Sequence, residues 1–110
     1  MRSHDDRLAL FRALLADDPD NELAHFSLGQ ALFELEQHAE AEPHFQRTRE
    51  LQPDHMLAYL RQAECLHALG RSSEAIPLLQ QTIALARAQN HVGPRLDAEA
   101  LLEEIDDADG

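Results

Sequence analysis

The chain has 110 residues and a mass of 12.4 kDa, which is the size of one domain and too small for a two-domain enzyme. Its 21 acidic and 9 basic residues give a formal charge of -12, which opposes binding to nucleic acid and to anionic membrane surfaces. The one cysteine cannot form an internal disulfide, and no stretch resembles a secretory leader or a membrane span. The sequence therefore predicts a cytoplasmic protein.

An internal repeat is the most informative feature of the sequence. When the sequence is shifted by 34 residues, ten positions of 22–55 are identical to positions of 56–89, and a period of this length indicates stacked supersecondary units. The same shift aligns Phe11 with Phe45, so we interpret the N-terminal segment as the second half of a preceding unit. The recurring residues of the first unit are Leu23, Ala24, Leu32, Leu35, Glu40, Ala41, Pro43, Gln46, Thr48 and Leu51.

The predicted elements are all helices. Apolar residues follow a helical period in each unit, and turn-forming residues divide each unit in two. Pro94 suits a first helical position and begins the last helix. In chain order the sequence predicts helices at 5–18, 21–35, 39–51, 55–69, 72–88 and 94–106. These form one all-α domain spanning 1–110, with an N-terminal half repeat at 5–18, repeats at 22–55 and 56–89, a capping helix at 94–106 and an acidic tail at 107–110.

Specific residues recur at fixed places in both units. The first unit carries Leu28, Gly29, Leu32, Ala41, Phe45 and Pro53, and the second carries Tyr59, Ala63, Leu66, Gly70, Ala75 and Leu79. This pattern resembles the tetratricopeptide repeat, a helix-turn-helix unit that stacks into a right-handed superhelix. The resemblance implies an alpha-alpha superhelix of about six helices, in which small residues at the helix crossings permit close packing.

The first unit departs from the family pattern at a turn. Glu36 stands where the second unit has Gly70, directly after the predicted first helix. Helices commonly end in a left-handed residue at this place, and glycine adopts that conformation most easily. We therefore expect Glu36 to have a left-handed backbone conformation. His25 in place of an aromatic residue and Gln62 in place of leucine are further departures.

The sequence contains no recognisable catalytic or metal-binding motif. The histidines show neither the spacing of a zinc site nor a partner cysteine pair, and Cys65 occupies a small-residue position on an apolar face, which favours a buried, unreactive thiol. We therefore expect no enzyme activity, no cofactor and no metal. The seven histidines are His4, His25, His38, His44, His55, His67 and His91.

The resemblance also implies a binding surface. In tetratricopeptide arrays the first helices of successive units line a concave groove that holds an extended peptide or a helix of a partner protein. A mixed apolar and acidic groove favours a partner with apolar anchors and basic flanks. A receptor for chaperone tails is not expected, because that clamp needs several basic residues and only Arg61 could serve. The predicted groove residues are Phe26, Gln30, Phe33, Glu34, Leu60, Arg61, Glu64 and His67.

Two alternatives remain open at this stage. The N-terminal helix could cover Leu23 and Phe26 through its own apolar residues, and we expect a covered Phe26 and an open Phe33. The function that the resemblance implies is a protein-binding adaptor. The alternative is a self-association module that forms a homodimer through the same groove or through the N-terminal half repeat.

Overall fold

The computed structural model describes residues 4–109, with side chains from 5 to 108. Within that range six helices and no strands are present. Consecutive helices pack against each other, and α4 also contacts α6. The helices are α1 (His4–Asp17), α2 (Glu22–Glu34), α3 (His38–Leu51), α4 (Met56–Ala68), α5 (Ser72–Ala88) and α6 (Val92–Asp109). None of these six is long and apolar enough to cross a membrane.

The two repeats begin in the same way. The side chain of Asn21 accepts a hydrogen bond from the amide of Ala24 at 3.1 Å. At the equivalent place 34 residues later, Nδ1 of His55 accepts from the amide of Ala58 at 3.2 Å. Each side chain satisfies one of the amides that a helix start leaves without a partner. The starts of α2 and α4 are therefore fixed locally.

Three helices end in the same hydrogen-bonded turn. After α2, the amide of Gln37 donates to the carbonyl of Leu32 at 2.9 Å, and Glu36 lies between them with φ 59°. Gly70 and Asn90 have the same left-handed conformation, with φ 77° and 60°. The structure confirms the expected conformation of Glu36. The corresponding bonds after α4 and α5 join Arg71 to Leu66 and His91 to Ala86, which is the Schellman arrangement.

The last helix differs from its prediction at both ends. It begins at Val92, two residues before Pro94, directly after the turn in which the left-handed Asn90 closes α5. Pro94 is then the third helical residue, where no intrahelical amide bond is needed. The helix also continues to Asp109, so residues 107–109 extend α6, contrary to the predicted acidic tail. Exposed acidic side chains at 106 and 107 are compatible with a helix whose other side packs against α5.

The core of the first repeat is closed by one helix crossing. The ring of Phe45 is fully buried, and a Cβ added at Gly29 would lie 2.9 Å from Cε1 of that ring. Only glycine permits this approach. The second repeat has Ala63 and Leu79 at the equivalent positions, both buried. The first repeat thus pairs the smaller glycine with the larger phenylalanine, and the second pairs the larger alanine with the smaller leucine.

A buried polar network joins the two repeats. Gln62 is buried, and its amide oxygen accepts from Nε of Arg49 at 2.5 Å while its amide nitrogen donates to Glu42 at 2.6 Å. Both partners lie on α3. Because each polar atom of Gln62 has a partner, its place in the core carries no unsatisfied group. The departure from leucine at this position therefore fixes α4 to α3 through hydrogen bonds.

We predict that Gly29→Ala destabilises the protein although alanine is the better helix former by about 1 kcal/mol. The added methyl group would press against the buried ring of Phe45, and overpacking of this kind costs roughly 1 to 3 kcal/mol. Urea unfolding measures the change. The double variant Gly29→Ala/Phe45→Leu copies the pair of the second repeat. Its loss in free energy of unfolding should be smaller than the summed losses of the two single variants. Simple additivity would contradict the proposed contact.

A second prediction concerns the left-handed turn. Glu36→Gly should raise the free energy of unfolding by about 0.5 to 1 kcal/mol, because glycine adopts this conformation without strain. Removal of a negative charge from the negative end of the helix dipole acts in the same direction. Gly70→Glu is the matched control and should lower stability by a similar amount. A neutral or lower stability for Glu36→Gly would contradict the expectation.

Candidate functional site

Three helices form one side of the molecule. The guanidinium carbon of Arg61 on α4 lies 5.5 Å from the ring centroid of Phe33 on α2. Farther along, Nε2 of His67 on α4 lies 3.1 Å from a carboxylate oxygen of Glu104 on α6. The two contacts place α2, α4 and α6 side by side. We call this surface the α2–α4–α6 face; its residues are Gln30, Phe33, Glu34, Arg61, Glu64, His67, Asp97, Leu101 and Glu104.

The two candidate phenylalanines are both intermediate in burial. The ring of Phe33 contacts the rings of His38 and Phe45, with centroid distances of 5.5 and 6.3 Å. The ring of Phe26 contacts Phe45 and His55 at 5.7 and 4.5 Å. Both are half-buried, so Phe26 is not fully covered and Phe33 is not fully open. Each ring rests on Phe45 with one side and leaves part of its surface exposed.

Two leucines on the first helices are not where the sequence placed them. Leu60 was predicted to line the groove, but it is only 1% exposed and belongs to the core cluster with Ala75 and Leu79. Its side chain belongs to the core that α4 shares with α5 and α6, and not to the exposed groove. Leu23 was considered as a residue covered by α1, yet it is 72% exposed. Its expected cover is therefore absent.

The one cation predicted for the groove is already paired. A guanidinium nitrogen of Arg61 donates to Glu64 at 2.5 Å while the group lies over Phe33. A carboxylate oxygen of Glu34 lies 3.4 Å from a guanidinium nitrogen of Arg7 on α1, which forms a longer ion pair. The side-chain oxygen of Gln30 is buried and accepts no hydrogen bond from the residues described. This part of the face offers part of the Phe33 ring, and its positive charge is neutralised.

A cleft of about 520 Å³ lies between α4 and α6. Its carboxylates exceed its positive groups, because His67 is its one basic residue and contacts both Glu104 and Ser72 Oγ, the latter at 2.8 Å. Asp97 has no ion pair within the part of the chain that the structure describes. Two predicted residues thus lie in this cleft. The lining residues are Glu64, His67, Asp97, Ala100, Leu101 and Glu104.

Sequence reasoning missed the α6 side of this cleft. Asp97 and Glu104 are seven residues apart, a spacing that puts both on one side of a helix. That signal was available, but α6 does not follow the 34-residue register that identified the other face residues. The repeat pattern therefore located α2 and α4 and gave no position for α6.

The described side chains include neither an activated thiol nor a cluster of metal ligands. Burial, and then the carboxylates of Glu42 and Glu64, raise the pKa of the Cys65 thiol to about 12, so the thiolate that reacts with electrophiles and metals is scarce at neutral pH. Between residues 4 and 109, no three His, Cys, Asp or Glu side chains are grouped so that they could hold a metal ion. What the face offers is contact surface, charge and hydrogen-bond acceptors.

Comparison with protein families identifies the repeat. A family model described as tetratricopeptide repeat matches residues 21–88, which include α2, α3, α4 and α5. Comparison with curated protein sequences gives no significant match.

Solved structures give several similar folds. MamA AMB-1 is 26% identical with a TM-score of 0.72; the match covers 76% of this chain and 46% of that protein, so the chain spans about half the length of MamA. PcrH, in complex with the chaperone binding region of PopD, is 24% identical with a TM-score of 0.88, covering 97% of this chain and 81% of PcrH. The first TPR of Spaghetti (RPAP3), bound to the HSP90 peptide SRMEEVD, is 23% identical with a TM-score of 0.81, covering 96% and 79%.

The burial of the two phenylalanines leads to a prediction. Because Phe33 is half-buried, Phe33→Ala should lower the free energy of unfolding by about 1 to 2 kcal/mol, less than the roughly 3 to 5 kcal/mol typical of a fully buried ring. Phe45→Ala is the fully buried control, and Phe26→Ala should resemble Phe33→Ala. Urea unfolding of the three variants measures the order. Equal losses for Phe33→Ala and Phe45→Ala would show that the Phe33 ring belongs to the core.

Proposed function

Because the chain belongs to the tetratricopeptide repeat family, we propose that it is a non-catalytic adaptor that binds a peptide or a helix of another protein on the α2–α4–α6 face. The relatives PcrH and Spaghetti (RPAP3) were solved with segments of partner proteins bound, which supports the general activity. The cytoplasm is the compartment that we propose, since the single cysteine has no internal partner for a disulfide.

The observation that carries the proposal is the cleft between α4 and α6. Ala100 and Leu101 provide apolar surface there, and Asp97 and Glu104 provide carboxylates. A lysine or arginine side chain fits this combination, because its aliphatic stem packs on apolar atoms while its cation meets the acidic groups. The exposed part of Phe33 supports an apolar anchor at the other end of the face. We therefore propose a partner segment with apolar anchors and basic flanks.

The acidic face also distinguishes this protein from receptors of acidic tails. The HSP90 peptide bound to Spaghetti (RPAP3) contains two glutamates and an aspartate. Here Arg61 is the one arginine or lysine on the face, and it is paired with Glu64. A net charge of -12 adds repulsion at longer range. We propose that acidic peptides of this kind are excluded.

Selection from a random 16-residue peptide library on the purified protein tests the proposal. Wild-type protein should enrich peptides that combine Leu, Ile or Phe with Lys or Arg. In the variant Asp97→Asn/Glu104→Gln, the affinity for the selected peptides should fall by about two- to fivefold for each exposed ion pair lost. The matched control Glu103→Gln/Asp106→Asn removes the same charge from the opposite cleft of α6, between Ile76 and Leu102, and should leave binding unchanged.

Three results would contradict the proposal. Enrichment of acidic peptides would show that the sign of the partner is wrong. Equal weakening by the two double variants would indicate a general effect of net charge. Loss of binding in Phe33→Ala together with unchanged binding in Asp97→Asn/Glu104→Gln would contradict the proposed role of the acidic cleft and leave only the apolar end of the face.

One observation favours the second candidate function, self-association through the N-terminal half repeat. Leu10 and Leu14 on α1 are 43% and 42% exposed. The positions that correspond to Leu14 in α3 and α5 are Thr48 and Thr82, and both are fully buried. The outer side of α1 is thus exposed at a position that is buried in α3 and in α5. Sedimentation equilibrium of the wild type and of Leu10→Glu/Leu14→Glu separates a dimer formed through this surface from a monomer.

A further inference from the structure

Two histidines of the first repeat share a hydrogen bond. Nδ1 of His25 on α2 lies 3.1 Å from Nδ1 of His44 on α3, and the ring centroids are 5.4 Å apart. On its other side, Nε2 of His25 lies 2.7 Å from the carbonyl oxygen of Pro19 in the turn between α1 and α2. The pair therefore connects that turn, the start of α2 and the middle of α3.

The partners of the two rings determine where the protons lie. A carbonyl only accepts, so Nε2 of His25 must carry a hydrogen and donate it to Pro19. A neutral imidazole has one N–H, which leaves Nδ1 of a neutral His25 as an acceptor. Nδ1 of His44 must then donate. When both rings are neutral, one proton lies between the two Nδ1 atoms, and a further proton on Nδ1 of His25 would remove the acceptor and break the hydrogen bond.

The second repeat makes the same connection without a titrating pair. Tyr59 occupies the position of His25, and its hydroxyl donates to the carbonyl of Pro53 at 2.7 Å. Leu78 occupies the position of His44 and packs against the core cluster of the second repeat. The link between turn and helix is therefore a shared structural element, and only the first repeat builds it from histidines.

The surroundings of His44 disfavour its charged form. Burial lowers the pKa of His44 first, and the nearby His25 lowers it further. Glu40 on α3 opposes this shift, and Arg12 on α1 adds to it. A guanidinium nitrogen of Arg12 donates to Glu40 at 2.6 Å. This ion pair reduces the attraction of the carboxylate for a charged His44. These are the charged groups from α1, α2 and α3 that act on His44.

We propose that the His25–His44 pair is a pH-sensitive latch, which holds the α1–α2 turn and α2 against α3 at neutral pH and loosens them under mildly acidic conditions. The ligand of this device is the proton, and the equivalent contact in the second repeat does not respond to it.

The sign of the effect follows from proton binding. A histidine in an unfolded or opened segment takes up a proton near pH 6.5. In the closed state burial and His25 lower the pKa of His44, and a proton on Nδ1 of His25 would break the shared hydrogen bond. The closed state is therefore fully favoured above about pH 6.5 and loses its advantage as the pH falls below that value. Uptake of one extra proton on opening shifts the opening equilibrium by about tenfold per pH unit.

Hydrogen exchange of the full chain between pH 7.5 and 5.0 tests the latch. After correction for intrinsic exchange rates, protection of residues 18–28 should fall by up to about tenfold per pH unit below pH 6.5. The informative variant is His25→Tyr/His44→Leu, which copies the pair of the second repeat. In this variant the pH-dependent loss should disappear. An unchanged loss in the variant, or no loss in the wild type, would overturn the proposal.

A second measurement does not depend on whether the variant folds. Nitrogen-15 spectra of the histidine rings in the wild type at pH 7.5 should show His25 protonated at Nε2 and His44 protonated at Nδ1. The Nδ1–H form is the rarer one for a neutral histidine, so its presence identifies the shared proton. Both rings in the Nε2–H form would show that no proton lies between them and would overturn the latch.

Discussion

The contact between Gly29 and the ring of Phe45 determines the geometry of the first repeat. Because the glycine has no side chain, the ring is fully buried at the crossing of α2 and α3. Phe26 and Phe33 both pack against this ring in edge-to-face geometry. The depth of Phe45 therefore sets how far the two half-buried aromatic rings project from α2. Packing inside the repeat and the apolar surface outside it have one common cause.

Equivalent positions of the two repeats keep a structural role while their chemistry changes. The left-handed residue after α2 is Glu36, and the one after α4 is Gly70. The link from turn to helix is made by an imidazole in one repeat and by a phenol in the other. Such exchanges are tolerated because backbone conformation and a single hydrogen bond define each role. They also give two similar layers different responses to pH. In the same way, the outer sides of the helices can carry acidic residues while their buried sides stay alike.

The repeat and its turns explain what the sequence could predict. Helices α2 to α5 agree with their predicted ranges to within about one residue, because caps and turn residues mark their ends. The last helix lacks the 34-residue register, so its start, its continuation past Asp106 and the position of Asp97 could not be derived from the pattern. Leu60 was misplaced because a helix covered on several sides has no distinct apolar stripe. The proton shared by His25 and His44 depends on the relative orientation of two rings, which periodicity does not encode.

Tyr59 has a consequence for how folding can be observed. It is the one tyrosine in a chain without tryptophan, and it is buried with its hydroxyl bound to Pro53 and the guanidinium of Arg49 over its ring at 5.6 Å. Near-ultraviolet circular dichroism at the tyrosine band therefore reports on the second repeat, while the far-ultraviolet signal reports on all helices together. Coincident transitions mean that the stack unfolds as one unit, and separate transitions mean that it unfolds layer by layer. The natural sequence thus contains a label-free optical measure of the coupling between neighbouring repeats.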